Sequence, residues 1–202
     1  MLLNKIEFFV VNNPIRAFIQ DKYEFERIRK FTNLGENKTV LEIGCGNGTG
    51  AKLIMKHFNP KKINAVDLDK KMIEIAKKRI NSDEISFSVG NASKLRFNDR
   101  QFDAIFDFGI IHHIPNWKDC LRELRRVLKP GGQIIIEDLS IETFENFIGK
   151  IYRKHLVHPY NKMYRRDEFV KYLEKLGFKI IIDKSYNPLG LMKHFVGVAI
   201  KS

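Results

Sequence analysis

Val40-Leu41-Glu42-Ile43-Gly44-Cys45-Gly46-Asn47-Gly48-Thr49-Gly50 decides the fold of this chain. An apolar strand runs straight into glycines at every second position. Glycine is required where the backbone takes φ > 0 or approaches a ligand closely. The following residues, 50–58, have the pattern of a helix. The loop therefore delivers backbone N–H groups to a helix N-terminus, where a ligand with a negatively charged group is favoured. The spacing departs from the dinucleotide fingerprint G-x-G-x-x-G. The third glycine, Gly48, comes one position early, and Thr49 stands where the dinucleotide glycine would be.

Outward from this loop, strands and helices alternate. Strand 39–43 precedes helix 50–58, strand 62–66 precedes helix 70–80, and strand 85–89 leads through a polar stretch to strand 102–106. Helix 117–128 and strand 133–137 follow, with Leu128-Lys129-Pro130-Gly131-Gly132 as a helix stop and turn. Such alternation implies a parallel sheet covered on both faces. Upstream, Ile15, Phe18, Ile19, Tyr23, Phe25 and Ile28 mark a helix that Asn13 can cap and Pro14 can start. Downstream, helices 140–156 and 166–176 precede strands 178–183 and 193–200. Their join through Asn187-Pro188-Leu189-Gly190 is too short for a helical crossover, so these strands are expected to be antiparallel. The expected fold is α/β: a Rossmann-like doubly wound sheet, mostly parallel, with an antiparallel C-terminal hairpin and a helical lid. The 202 residues are read as one domain. It divides into an N-terminal helical cap (1–31), a core (32–139), and lid helices with the hairpin (140–202).

Net charge is +12, and residues 149–171 carry seven Lys/Arg against Asp167 and Glu168. That balance favours anionic partners: nucleic acid, an acidic membrane surface or an acidic substrate. No apolar run approaches the length of a membrane span. The first residues do not read as a signal peptide, since Lys5 is the one early cation and Asn12-Asn13-Pro14 interrupts the apolar stretch. Cys45 and Cys120 form no C-x-x-C pair, and the adjacent His112 and His113 lack i, i+4 ligand spacing. No metal is expected. A reducing, cytoplasmic setting fits best, with peripheral membrane contact as the extension that the basic charge allows.

Open α/β sheets bind ligands beyond the carboxyl ends of their strands. Four such ends carry informative residues: the glycine loop, Asp67-Leu68-Asp69, Gly90-Asn91-Ala92, and Asp107-Phe108-Gly109 followed by Ile110-Ile111-His112-His113-Ile114. Asp67 lies 23 residues past Gly44, where a carboxylate can accept ribose hydroxyls. In order, VLEIGCGNGTG, AVDLDKKMIEIAKKR, VGNASKLRFNDRQFDAIFDFGIIHHI and LRELRRVLKPGGQIIIED span residues 40–138, about half the chain. Together they resemble the class I methyltransferases that use S-adenosylmethionine, in particular the family of the ubiquinone/menaquinone biosynthesis methyltransferases.

The resemblance implies roles. Gly44, Gly46 and Gly48, with Cys45 between them, would let the loop pass under the methionine part of the cofactor, and Glu42 would set that loop's hydrogen bonds. Asp67 would take the ribose and Leu68 one face of adenine. Asn91 and Ala92 would meet the adenine edge, although the family usually has Asp at position 91. Phe108 and Gly109 would reach the methionine amino group through backbone carbonyls. The implied cofactor is S-adenosyl-L-methionine and the implied product S-adenosyl-L-homocysteine.

Methyl transfer from a sulfonium needs alignment above all, and a general base only if the acceptor keeps its proton late. His113, His112 and Tyr164 are the candidate catalytic residues, with Asp138, His155 and His158 nearby in the pattern. The lid stripe of Ile141, Phe144, Ile148 and Ile151, beside Lys150, Arg153 and Lys154, suits a small lipophilic or aromatic acceptor with an acidic group. A nicotinamide oxidoreductase would need the later glycine. A nucleic-acid methyltransferase is favoured by charge, but the Asn-Pro-Pro-aromatic motif is replaced by Asp107-Phe108-Gly109-Ile110 and no Pro-Cys nucleophile occurs. A non-catalytic S-adenosylmethionine-binding protein is the remaining alternative.

Overall fold

A computed structural model of the chain describes residues 20–187 and 192–202. Seven strands form one sheet: β1 (Thr39–Ile43), β2 (Lys62–Asp67), β3 (Ile85–Val89), β4 (Phe102–Phe108), β5 (Leu128–Asp138), β6 (Phe178–Tyr186) and β7 (His194–Lys201). Their order is β3-β2-β1-β4-β5-β7-β6. β1 to β5 pair in parallel. β7 lies antiparallel between β5 and β6. The doubly wound sheet with an antiparallel C-terminal pair is thus the observed fold. The chain order reverses between β1 and β4, which opens a crevice at their carboxyl ends.

Period-two patterning explains why both faces are covered. On β4, Phe102 and Ile105 join one core while Ala104, Phe106 and Phe108 join the other. On β5, Ile134 and Ile136 face the first core and Ile135 the second. The first face is closed by α4 (Trp117–Val127) and α6 (Arg166–Lys175). α4 buries Trp117, Cys120, Leu121, Leu124 and Val127, the spacing of one helical face. The second face is closed by α2 (Thr49–Phe58) and α3 (Lys70–Arg79), and by a π-helical turn, Gln20–Phe25, that continues as α1 (Glu26–Arg29).

This last contact changes the reading of the N-terminal cap. Phe25 and Ile28 are fully buried. The Phe25 ring stands 4.8 Å from that of Phe108 at the end of β4 and 6.3 Å from that of Phe58. This part of the cap belongs to the core. Ile15, Phe18 and Ile19, with the Asn13 cap and Pro14, lie outside the described residues, as does most of the turn after Asn187.

Two expected elements differ. Strand β5 begins at Leu128, directly after α4, rather than at residue 133. Leu128 pairs with Phe102, and the register then shifts before Ala104 pairs with Gln133. Gly131, at φ 72°, accommodates the irregularity. The expected helix 140–156 is broken into a 3₁₀ turn, Ile141–Phe144, and the short α5 (Phe147–Tyr152). Asn146 causes the break: its side chain caps α5 by accepting from the Gly149 N–H at 2.7 Å. Gly149 makes the fold-back feasible, because a Cβ there would stand 2.2 Å from the Thr143 carbonyl oxygen.

Removing the ring that anchors the N-terminal cap tests whether it is core. Phe25→Ala should cost about 3–5 kcal/mol of stability. The measurement is a lower denaturant midpoint at unchanged m-value. A loss below about 0.5 kcal/mol would mean that the cap folds apart from the sheet.

Candidate active site

Beneath the glycine loop lies Glu42, near the end of β1 and almost wholly buried. Burial, reinforced by the charge of Asp67, holds its carboxyl well above the usual range. It accepts the backbone N–H of Ala51 in the first turn of α2, while its Oε2 has no hydrogen-bond partner within the protein. Gly50 permits this fit, since a Cβ there would lie 1.9 Å from Glu42 Oε1. At Gly44, φ is 64° and a Cβ would lie 2.4 Å from Ile110 Cγ1. Both glycines are therefore demanded by the protein's own packing, and Gly44 by loop conformation as well.

The helix N-terminus is less bare than the sequence suggests. Asn47 Oδ1 accepts the Thr49 N–H at 3.1 Å and the Thr49 hydroxyl at 2.7 Å. Glu42 takes the N–H of Ala51. Two donors that an anionic ligand was expected to use are engaged internally.

Asp67, at the end of β2, ties the loop to the next turn. Its Oδ2 accepts the Gly46 N–H and its Oδ1 the Asp69 N–H, both at 2.8 Å. Burial raises its pKa, against the two backbone donors that lower it. Each oxygen keeps a lone pair for a further donor. The cap of α3 is Asp69, which accepts from the Lys71 N–H. Leu68 is exposed beside Asp67, an isolated apolar side chain at the rim of the crevice. Asn91 is exposed and its side-chain carbonyl accepts the Ser93 N–H at 2.9 Å, closing a local turn, while Ala92 is buried. Cys45 is buried among core residues, and burial with the nearby Glu42 and Asp67 charges pushes its thiol well up, so it is unreactive.

The end of β4 supplies the second half of the site. Phe108 is buried between the rings of Phe25 and Phe106, and Gly109 turns the chain at φ 76°. A 3₁₀ turn, Ile111–His113, follows. It is held by Asp138 at the end of β5, which is completely buried. Asp138 Oδ1 accepts from His112 Nδ1 and from the Leu139 N–H; its Oδ2 accepts from the His112 N–H at 3.1 Å and the Tyr164 hydroxyl at 2.7 Å. Burial alone would raise its pKa; the charge and hydrogen bond of His112, with Tyr164 and the Leu139 amide, outweigh it and leave Asp138 low. Asp107 lies beside it, and burial followed by the Asp138 charge pushes its carboxyl well above the usual range. The two neighbouring carboxyls are thus pushed in opposite directions, Asp107 up and Asp138 down.

Of the candidate catalytic residues, His112 is therefore buried and oriented, with Nδ1 toward Asp138 and Nε2 as the ring nitrogen that Asp138 does not engage. His113 is half-buried, its ring centroid 4.1 Å from that of His112. Tyr164 is fully buried against Trp117 and Phe169, its hydroxyl donated to Asp138. That position fits a support for Asp138 better than a base facing an acceptor. His155 is exposed. His158 is brought over the His112-His113 turn, its centroid 5.1 Å from His112 and 4.4 Å from His113. Burial, then the charge of His112, lowers its pKa to about 3. The gathering of three imidazoles escapes sequence spacing rules because 45 positions separate His113 from His158.

The residues fit S-adenosylmethionine as the family uses it. The glycine loop, a carboxylate at the end of β2 and an orphaned buried oxygen on Glu42 all converge at the switch point. A family described as a methyltransferase domain matches residues 41–136. The demethylmenaquinone methyltransferase of Thermotoga maritima is 35% identical over 144 residues, covering 71% of this chain and 62% of that protein. The fatty-acid O-methyltransferase of Mycolicibacterium smegmatis is 37% identical over 103 residues, 51% of this chain and 38% of that one. The chain thus spans roughly half the length of these relatives. A solved S-adenosylmethionine-dependent methyltransferase from Aquifex aeolicus shares the fold over 100% of both chains, with a TM-score of 0.76 at 21% identity. By domain match, relatives and fold, residues 41–136 form a methyltransferase domain, set in a sheet with the fold of solved S-adenosylmethionine-dependent methyltransferases.

Proposed function

We propose that this chain binds S-adenosylmethionine across the switch point and methylates a small lipophilic or aromatic acceptor. The observation that carries the cofactor half is Asp67, whose carboxylate joins the glycine loop to the turn after β2 and retains lone pairs for ribose hydroxyls. The bound cofactor would supply a methyl group on a sulfonium sulfur.

The chain's own residues would do the rest. Glu42 holds the loop from below, while Gly44, Cys45, Gly46 and Gly48 carry it past the methionine portion. Leu68 covers one adenine face; Asn91 and Ala92 meet its edge. Position 91 keeps an acceptor through the Asn carbonyl but not the charge of the usual Asp. Phe108 and Gly109 direct their carbonyls at the amino group. His112, oriented by Asp138, is the residue best placed to take an acceptor proton, with His113 beside it. Exclusion of water by the segment over this turn would strengthen these interactions.

The acceptor class rests on the relatives' names and on the surface near the site. Phe147, Ile148, Ile151 and Val157 are exposed, Phe147 to 81%. Lys150, Arg153 and Lys154 are exposed among them. Aromatic and aliphatic side chains ringed by cations suit an anionic bilayer, from which a lipophilic acceptor could enter. No described helix is long and apolar enough to cross a membrane, so the contact proposed is peripheral.

Calorimetry with S-adenosylhomocysteine tests the cofactor assignment. Loss of charged hydrogen bonds in Asp67→Ala should weaken binding by about 10–100-fold. Unchanged affinity in a folded variant would remove Asp67 from the ribose role.

Vesicle co-sedimentation tests the surface. Binding to anionic vesicles should exceed binding to neutral ones and fall as salt rises. Lys150→Gln and Lys154→Gln should each reduce it about fivefold, the equivalent of about 1 kcal/mol per basic residue. Equal binding to both vesicle types would exclude the bilayer as the partner of this surface.

A further inference from the structure

We propose that His112, His113 and His158 form a three-imidazole site for a zinc ion, at the carboxyl end of β4 and separate from the cofactor-binding residues. One potential ligand atom from each of the three side chains lies within 4.8 Å of the others, and this is a grouping of His, Cys or acidic residues found among the described residues. Three histidines with a fourth position left open are a common ligand set for zinc.

The three rings are already gathered close to the separations that one ion would impose. With Zn–N near 2.0–2.1 Å and tetrahedral angles, two bound imidazole centroids stand about 5 Å apart. The three centroid separations are 4.1, 4.4 and 5.1 Å. The His112–His158 separation matches that distance, whereas His113 stands closer to both rings and would have to move outward by up to about 1 Å. Ion binding would draw the ligand nitrogens, which lie within 4.8 Å of one another, to about 3.3 Å.

The supporting shell is also in place. A zinc-bound histidine usually donates its other ring nitrogen to a carboxylate or carbonyl, which fixes tautomer and orientation. Asp138 does this for His112: it engages Nδ1, so Nε2 is the ligand atom. Asp138 is itself held by the Tyr164 hydroxyl and the Leu139 amide. His112 and His113 come from one 3₁₀ turn on a rigid strand end, whereas His158 comes from the irregular segment after α5. His158 also stacks on Tyr160, at a centroid distance of 5.4 Å. The ion would thus clamp that segment onto the end of β4. Binding zinc requires nothing of the cofactor assignment, but it occupies the Nε2 that would otherwise take an acceptor proton, so with zinc bound His112 is a ligand and not the base. Giving the open position to an oxygen of the acceptor does rest on the methyl-transfer assignment.

The test uses the full chain, stripped of metal and titrated with zinc against a chromophoric chelator, with Co²⁺ as a spectroscopic substitute. The expected result is one zinc per chain and a visible Co²⁺ spectrum of four-coordinate type. His158→Ala and His113→Ala should each weaken zinc binding by at least tenfold, and Asp138→Asn by about 10–100-fold. His155→Ala, an exposed neighbour, should leave it unchanged. S-adenosylhomocysteine binding, measured on the same variants, reports folding and reads the cofactor site separately. Zinc binding without S-adenosylhomocysteine binding would support the metal site while overturning the cofactor assignment. Absence of stoichiometric zinc, or equal zinc affinity in the parent chain and in a folded His158→Ala and His113→Ala, would overturn the metal site.

Discussion

One buried carboxylate holds together the end of this molecule where the candidate site lies. Asp138 accepts four hydrogen bonds: the ring and the backbone amide of His112, the amide of Leu139 and the hydroxyl of Tyr164. A completely buried charge is tolerated only when it is paired and fully hydrogen-bonded. Here the partners come from the turn after β4, from the chain leaving β5 and from the segment leading into α6. Meeting the needs of one side chain therefore fixes three pieces of backbone around the site. Asp107, equally buried, has fewer partners: its Oδ1 accepts the Ile110 N–H at 3.0 Å, and burial with the Asp138 charge pushes its carboxyl up.

The glycine loop works by a similar economy of polar groups. Glu42 and Asp67 take backbone N–H groups from α2, the loop and the turn after β2. Asn47 takes another at the start of α2. Most of the loop's shape is thus determined before any ligand arrives, which reduces the ordering cost of binding. The unsatisfied Glu42 oxygen is the exception. A buried polar oxygen without a partner is unfavourable on its own; Asp107 Oδ2, at the end of β4, is another.

The two sides of the crevice differ in how firmly they are built. The strand ends rest on cores in which β4 contributes alternate residues to both faces. The π-helical turn and α1 are joined to that framework through Phe25 and Ile28. The short α5, in contrast, presents Phe147, Ile148 and Ile151 outward and leans on the 3₁₀ turn before it through Gly149. A six-residue helix has little stability of its own. The segment carrying His158 therefore depends on the aromatic and imidazole rings that it meets, among them Phe144, Tyr160 and the two histidines of the β4 turn.

Local chemistry made the sheet, and the residues gathered at its candidate cofactor site, legible in the sequence. Alternating strands and amphipathic helices announce themselves by period, so the starts of β1 to β4 fell where the pattern put them. Glu42, the glycines and Asp67 lie at strand ends, where adjacency in sequence becomes adjacency in space. Boundaries that depend on a single side chain were not legible. Asn146 broke a helix that the apolar stripe would have continued, and Leu128 found a pairing partner in Phe102 that no local signal specifies. The same holds for the chemistry of the histidines. The sequence by itself determined that His112 and His113 follow β4. Only the tertiary structure decided that Asp138 orients one of them, that Tyr164 is spent on Asp138, and that His158 closes over both. Those contacts join residues from 26 to 46 positions apart, and such distances are closed by sheet order and core packing, which no local pattern encodes.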